Sequence, residues 1–164
     1  MLGVEDFEVS LAEPTDIEPI KTMADLHRRE LGFVLRPALA DAIERKWILL
    51  ARIRASGEPA GFVHFRHRRD LYTKIYQICV VPPYRRQGVA TELLAALKRS
   101  ARKAGQVRLT LQCPEDLPAN SFYKDTGFTD GPVINGRKRR LIIWSLPISQ
   151  SSQFAPEAND ADGS

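Results

Sequence analysis

The sequence predicts a mixed α/β (α+β) domain, because strand and helix patterns alternate along the chain and two turns join neighbouring strands. Val107–Cys113 alternates apolar and polar residues, as a half-buried strand does. From Gly88 to Ala104 the apolar residues recur at helical spacing instead. Ser56–Pro59 and Asn135–Gly136 have the composition of turns between antiparallel strands.

The first third of the chain contains one strand, two helices and a hairpin. Phe7–Leu11 is a predicted strand, and helical patterns follow over Ile17–Arg29 and Pro37–Trp47. The strands Ile48–Ile53 and Ala60–Arg66 flank the first turn. This order, helices set between strands, is typical of a sheet covered by helices.

A central strand and the longest helix follow. Ile75–Val81 is an apolar run, typical of a strand buried on both faces, and Pro82–Pro83 ends it. The helix that begins after Gly88 has a basic last turn and stops at Gly105. The order strand, turn and helix N-terminus predicts an anion site at the turn.

The C-terminal part carries a short helix and a hairpin. The helix ends near Gly127, a strand begins at Phe128, and the chain returns through Leu141–Trp144. Trp144, on a last strand expected to be exposed, is a candidate for a homodimer contact. The polar, acidic and small residues of 148–164 predict a disordered tail, which leaves 1–147 as a single domain.

Length and composition set the class of protein. The chain has 164 residues, 43% of them apolar, enough for one domain with its own core. It has no apolar stretch near the roughly 20 residues of a membrane span, and Met1–Asp6 does not resemble a signal peptide, so we expect a cytoplasmic protein. Cys79 and Cys113 lie in apolar strand patterns without metal-ligand spacing, which predicts reduced core thiols and no metal site.

The turn before the long helix combines three features that suit a pyrophosphate. Unpaired backbone N–H groups point out of a helix N-terminus, where the helix dipole adds partial positive charge. Arg85 and Arg86 add full charges, and Gly88 lets the backbone approach an anion closely.

Two motifs carry a family resemblance. Arg85-x-x-Gly88-x-Ala90 resembles the acyl-CoA loop, Q/R-x-x-G-x-G/A, of the GNAT superfamily of N-acetyltransferases. The segment Asn120-Ser121-Phe122-Tyr123, followed by Gly127-Phe128, resembles a later motif of that family. The resemblance covers about Phe7–Pro147. It implies a mostly antiparallel central sheet with a splayed central strand pair, flanked by about four helices.

The resemblance also implies acetyl-CoA as co-substrate and a set of residues that bind it. These are Ile78, Cys79, Val80, Arg85, Arg86, Gln87, Gly88, Val89, Ala90, Asn120 and Tyr123. In many relatives an asparagine seven residues before the tyrosine holds the pantetheine arm. This chain has Asp116 there, and Asn120 is the nearby asparagine.

Acetyl transfer needs a polarised thioester carbonyl and a stabilised leaving thiolate. Backbone N–H groups near Cys79 and Val80 can polarise the carbonyl if the strand bulges or splays, as the resemblance implies. Tyr123 is the predicted catalytic acid. Full proton transfer from a phenol to a thiolate is uphill by roughly 2 kcal/mol, so its hydroxyl acts mainly as a hydrogen-bond donor. The alternative is that Tyr123 is only a core residue.

The sequence assigns no general base to the reaction. The possible bases are Glu30, His64, His67, Glu115 and Asp116, and each has an alternative reading as a surface or structural residue. The acceptor amine and the oligomeric state are equally open.

The net charge of +4 is concentrated locally, in Arg66–Arg69, Arg85–Arg86 and Arg137–Arg140. These clusters are either solvated turns or sites that attract an anion such as CoA or an acidic acceptor, tRNA included. Three functions therefore stay open: an N-acetyltransferase, a non-catalytic acyl-CoA-binding regulatory module, and a basic nucleic-acid-binding domain. A P-loop enzyme is excluded, because no Gly-Lys-Ser/Thr follows the turn.

Overall fold

The structure, a computed structural model, describes Gly3 and residues 6–148, apart from the side chain of Glu30. These residues form seven strands and five α-helices. The strands are β1 (Phe7–Leu11), β2 (Ile48–Ile53), β3 (Pro59–His67), β4 (Tyr72–Val80), β5 (Arg108–Pro114), β6 (Thr129–Asn135) and β7 (Arg140–Pro147). The helices are α1 (Ile17–Leu26), the single turn α2 (Arg28–Leu31), α3 (Arg36–Glu44), α4 (Val89–Lys103) and α5 (Ala119–Asp125), with 3-10 turns at Pro14–Asp16 and Pro82–Tyr84.

The chain divides into two compact units. The first comprises Met1–Arg66 and Ile75–Leu97, and the second comprises His67–Lys74 and Lys98–Ser164. Both β4 and α4 therefore contribute residues to each unit. The single domain expected over 1–147 stays a prediction.

The first unit contains the strand order β1-β2-β3-β4. β1 pairs antiparallel with β2, and β2 pairs antiparallel with β3, where Ile48 lies opposite His64. The helices α1 and α3 cover the face of the sheet on which Ile48, Leu50 and Phe62 lie, and they close a buried apolar cluster with it. This packing explains why Ile48 and Leu50 of β2 are fully buried.

The second unit contains the strand order β5-β7-β6. β7 pairs antiparallel with β5 on one side and with β6 on the other. The expected dimer contact at Trp144 rested on an exposed last strand, and that basis is wrong: Trp144 is 5% exposed, because β7 lies between two strands and β6 takes the outer position. The hairpin loop spans 136–139, since Asn135 still pairs with Arg140.

The predicted mixed α/β class, with a mostly antiparallel sheet, is confirmed. The splaying of the central strand pair stays a prediction. Both cysteines are free and buried, as expected. β4 is not buried on both faces, because Tyr76 is 42% exposed. Among the residues described, no helix combines the length and apolarity that crossing a membrane requires.

Ile148, the first residue of the predicted disordered tail, belongs to the folded domain, so the prediction is wrong at this residue. Ile148 is buried, and its N–H donates to the Val107 carbonyl at 2.9 Å. The rest of the tail, 149–164, lies outside the described residues.

Candidate functional site

The turn between β4 and α4 presents backbone N–H groups at a helix N-terminus. Glu92 donates the first helix-type hydrogen bond, to the Gly88 carbonyl at 3.0 Å, so the N–H groups of Val89, Ala90 and Thr91 lie ahead of it. Gly88 has φ +92° and Arg86 has φ +61°. An ideal Cβ on Gly88 would meet no atom within 4 Å, so the space beside it is open. The turn is therefore shaped to receive an anion.

Two side chains of this turn stabilise it by donating hydrogen bonds to backbone carbonyls just before it. Arg85 Nε donates to the Val80 carbonyl at 2.8 Å, and Gln87 Nε2 donates to the Pro83 carbonyl at 2.8 Å. A hydrogen bond to Glu58 raises the pKa of Tyr84, which precedes Arg85. Arg85 and Arg86 are exposed, and no carboxylate among the described side chains forms an ion pair with either. Their charges are available to a ligand.

β4 contains a one-residue bulge between Tyr76 and Cys79. The Val81 N–H donates to the Ala60 carbonyl at 3.0 Å, and a regular antiparallel ladder counted back from that pair places Gln77 opposite His64. The His64 ring nevertheless lies 5.2 Å from the Tyr76 ring. Tyr76 thus shares the face of His64, whereas Cys79 shares that face with Phe62, so one extra residue lies between Tyr76 and Cys79.

Two polar side chains near the bulge, those of Gln77 on β4 and His64 on β3, were not connected by sequence reasoning. Gln77 Nε2 lies 3.4 Å from the Leu31 carbonyl, while Gln77 Oε1 is buried and accepts no hydrogen bond from any described residue. Burial lowers the pKa of His64 below its ordinary value of 6.5, so its imidazole is neutral at pH 7. A buried acceptor without a donor and a neutral imidazole suit an N–H-bearing ligand such as an amine.

The predicted strand residues beyond the bulge lie at the end of β4. Cys79 points into the apolar cluster, where its Sγ lies 3.4 Å from His27 Nδ1. That nitrogen also lies 2.8 Å from the Met23 carbonyl, to which it donates. Ile78 and Val80 are half-buried. The Cys79 side chain thus anchors β4 to α1, which leaves the backbone as the part of Cys79 that can meet a ligand.

Tyr123 lies in an aromatic cluster of the second unit. Its ring centroid is 5.6 Å from that of Phe122, 5.6 Å from that of Phe128 and 6.3 Å from that of Trp144. The side chain is 6% exposed. Burial, with a smaller contribution from Cys113, raises the pKa of Tyr123 far above the ordinary value of 10. The phenol therefore stays protonated at every physiological pH, and it can act as a hydrogen-bond donor.

Asn120 is held by three internal hydrogen bonds. Its Nδ2 donates to the carbonyls of Pro114 at 2.8 Å and Leu117 at 2.9 Å, and its Oδ1 accepts from Trp144 Nε1 at 2.8 Å. Both amide hydrogens are used, so the geometry favours a structural role that fixes the start of α5 to β7. A contact with pantetheine stays a prediction.

The remaining candidate bases have partners of their own. Glu115 forms an ion pair with Arg140 at 3.3 Å, and Asp116 forms one with Arg139 at 3.0 Å. His67 lies between two hydroxyls, with Nδ1 2.7 Å from Thr73 Oγ1 and Nε2 3.3 Å from Ser100 Oγ. Because Glu115, Asp116 and His67 are already engaged by these partners, His64 is the candidate that the described geometry favours. The side chain of Glu30 lies outside the description.

The structure thus groups the predicted site residues in two places. Ile78 to Val80 and Arg85 to Ala90 lie in the first unit, around the end of β4 and the start of α4. Asn120 and Tyr123 lie together in the second unit, on α5.

Comparison with known proteins points to one family. The sequence model of the "Acetyltransferase (GNAT) family" matches residues 15–128. The chain is 35% identical over 65 residues to the uncharacterized N-acetyltransferase YycN of Bacillus subtilis (strain 168), a match that spans 39% of this chain and 42% of YycN. The chain thus spans about two fifths of the length of that curated relative.

Solved structures share the fold. Ard1 from Thermoplasma volcanium superposes with a TM-score of 0.78 at 18% identity, over 88% of this chain and 99% of Ard1. N-acetylglutamate synthase from Neisseria gonorrhoeae, solved with coenzyme A and N-acetyl-glutamate, gives 0.76 at 17% identity, over 87% of this chain and 35% of the synthase.

Proposed function

The chain belongs to the acetyltransferase (GNAT) family, and we propose that it is an acetyl-CoA-dependent N-acetyltransferase. In this proposal the acetyl group moves from acetyl-CoA to a primary amine by direct attack in a ternary complex. The observation that carries it is the turn before α4, with N–H groups ahead of the first helix bond, an open Gly88 at φ +92° and two arginines free of ion pairs among the described residues.

The turn binds the pyrophosphate of CoA. N–H groups at the head of α4 donate to the phosphate oxygens, and the helix dipole favours their negative charge. Arg85 is already oriented through its Nε bond to Val80, so its remaining guanidinium N–H groups reach an anion with little further loss of side-chain freedom. Arg86 adds charge from an exposed position.

The amine attacks the thioester carbonyl carbon, and a C–N bond forms as the carbonyl π electrons move to oxygen. A bulge leaves one backbone N–H out of the ladder, and such an N–H in the segment from Tyr76 to Cys79 stabilises the oxyanion. The C–S bond then breaks with its electron pair on sulfur. Tyr123 donates a hydrogen bond to this thiolate, the role that the family resemblance implies.

The amine must lose a proton as it attacks. His64 is neutral at pH 7 and takes that proton, while Gln77 Oε1 accepts a hydrogen bond from the amine and orients it. An α-amino group, with a pKa of about 8, is easier to deprotonate than a lysine side chain at about 10.4. We therefore expect the better acceptors to carry α-amino groups or amines with similarly low pKa values.

Calorimetric titration of the full chain with acetyl-CoA tests the cofactor site. Wild type should bind at micromolar Kd, and the Arg85→Ala/Gly88→Glu variant should lose binding. Arg45→Ala/Gly57→Glu is the matched control, because it makes the same charge change at another exposed arginine and another glycine with positive φ, +76°. Absence of binding by wild type, or equal loss in both variants, would refute the proposed cofactor site.

Turnover separates an enzyme from a binding module. Thiol release from acetyl-CoA should depend on an added amine, chosen from peptides with a free N-terminus, acetyl-blocked lysine peptides and polyamines, with the product mass raised by one acetyl group. His64→Gln should lower kcat/KM roughly 10²-fold and leave the Kd for acetyl-CoA unchanged. Binding without transfer to any of these amines would contradict the catalytic proposal and favour the regulatory module.

A further inference from the structure

Positive charge is concentrated in two short segments of the second unit. Residues 67–74 and 98–108 contain eight lysines and arginines and one aspartate, a net charge of +7, whereas the whole chain carries +4. The remainder of the chain is therefore net acidic, and the basic character of the protein comes from these two segments.

Hydrogen bonds join the two segments into one surface. Gln106 Nε2 donates to the carbonyls of Arg68 at 3.1 Å and Tyr72 at 2.8 Å, and the Val107 N–H donates to the Leu71 carbonyl at 2.7 Å. The turn between β3 and β4 is thereby fixed to the chain that leaves α4. The sequence shows the arginines of this turn, but it does not show that the turn contacts Gln106 and Val107, because these residues are distant from it in sequence.

The basic patch, defined as Arg68, Arg69, Arg99, Lys103 and Arg108, has an aromatic centre. The Arg68 guanidinium lies 5.8 Å from the centroid of the Tyr72 ring, and that of Arg108 lies 5.9 Å from it. Two planar cations beside one ring form a surface on which a base can stack.

The patch differs from the other arginine cluster of this unit. Its five basic side chains are exposed, and among the described residues none of them forms an ion pair. Arg139 and Arg140, in contrast, are neutralised by Asp116 and Glu115. An unpaired basic surface of this density attracts a polyanion, whereas a paired one does not.

We propose that the basic patch binds single-stranded RNA. The arginines and Lys103 contact phosphates, and a base stacks beside Tyr72 and its flanking guanidiniums. The observations favour nucleic acid over an acidic protein because two guanidiniums of the patch, those of Arg68 and Arg108, flank a ring beside which bases can stack. The predicted CoA turn, Arg85–Ala90, contains none of the patch residues, so the two sites use different residues.

A fluorescently labelled 20-nucleotide oligouridylate, titrated with the full chain at several salt concentrations, tests the proposal. With about five phosphate contacts, log K should fall with log salt with a slope of about −3.5. Arg68→Gln/Arg69→Gln/Arg108→Gln should reduce affinity at least 10-fold at 100 mM salt and lower the slope by about 2. Acetyl-CoA binding by this variant should be unchanged, which separates this surface from the cofactor site.

Arg36→Gln/Arg45→Gln/Arg140→Gln is the matched control, because it removes three arginines that already have acidic partners. If both triple variants lost RNA affinity equally, the binding would depend only on the net charge of the protein, and the assignment to this patch would be overturned. Competition by polyglutamate as effective as that by unlabelled RNA would assign the surface to an acidic protein instead. If RNA bound only to a chain that ends at Ile148, the acidic segment 149–164 would be the occupant of the basic patch in the full chain. That result would equally overturn the proposal.

Discussion

The turn before α4 and the aromatic cluster around Tyr123 differ in which atoms they offer to a ligand and in how exposed those atoms are. The turn presents backbone groups in an open, exposed place, where Gly88 has no neighbour within 4 Å of an added Cβ. The cluster presents one side chain, packed among Phe122, Phe128 and Trp144 and almost fully buried. In the turn the backbone angles matter most, whereas in the cluster the atoms of the side chains do.

This difference predicts different tolerances. Apart from the two arginines, a side-chain change in the turn is tolerated as long as φ stays positive where it must, since N–H groups come from every residue except proline. A side-chain change in the cluster removes either a specific hydroxyl or a specific set of hydrogen bonds. Variants at the two places should therefore separate into losses of cofactor binding and losses of rate or stability.

The largest effect should come from Tyr123→Phe, which removes one hydroxyl and keeps the ring. We expect kcat to fall about 10²- to 10³-fold, because the leaving thiolate loses its hydrogen-bond donor. The Kd for acetyl-CoA and the melting temperature should change little, because the aromatic packing is kept. Steady-state kinetics with a productive amine, beside calorimetry, measures both. An unchanged kcat would make Tyr123 a core residue only.

Asn120→Ala should act on stability before it acts on binding. The change leaves Trp144 Nε1 and two carbonyls without partners, which costs about 2 to 3 kcal/mol of the free energy of unfolding. Trp144→Phe serves as the second side of a double-mutant cycle, with an expected coupling near 1 kcal/mol. Urea denaturation gives these values. A large loss of acetyl-CoA affinity with little loss of stability would instead favour the pantetheine contact.

Gly88→Ala tests whether the backbone of the turn before α4 contacts the cofactor, and Gly57→Ala is its matched control. Both glycines have positive φ, +92° and +76°, and neither has an atom within 4 Å of an added Cβ. We expect each alanine to cost about 1 kcal/mol of stability through backbone strain. Only Gly88→Ala should also weaken acetyl-CoA binding, by about 10-fold, as calorimetry would measure. Equal affinities would remove Gly88 from the cofactor site.

The smallest effect concerns alkaline pH. Burial raises the pKa of Cys113 from 9.0 to about 11, so between these values the unfolded chain loses a proton that the native protein keeps. The free energy of unfolding should therefore fall as pH rises through this interval. Cys113→Ala removes that contribution, so the gap in melting temperature between wild type and variant should narrow from pH 8.5 to pH 10.5. A constant gap would contradict the raised pKa.

Local patterns predicted much of this fold. β1 and β2 begin and end where alternation and turn composition placed them, and α4 differs from its predicted span by one residue at each end. The family match agrees with the resemblance that the Arg85–Ala90 turn and the Asn120–Phe128 segment carry. These features depend on residues close in sequence, which is why composition and spacing reveal them.

Features that depend on distant partners were missed. No glycine or proline marks the bulge between Tyr76 and Cys79, and the residues of this segment suit a regular strand. The place of β7 between β5 and β6 follows from strand pairing, so Trp144 could not be recognised as buried from its own segment. The internal partners of Asn120 come from Pro114, Leu117 and Trp144, which no motif links. The roles of His64 and Tyr123 in catalysis stay predictions.

The bulge also changes how β4 tolerates insertions and deletions. Before it, even-numbered residues such as Tyr76 share a face with His64; beyond it, odd-numbered residues such as Cys79 share that face with Phe62. Deleting one residue between these positions would make the ladder regular while both halves of the strand keep their present faces, so only the bulge would be lost. Under the proposed mechanism, such a deletion should therefore lower the rate of acetyl transfer more than it lowers the free energy of unfolding.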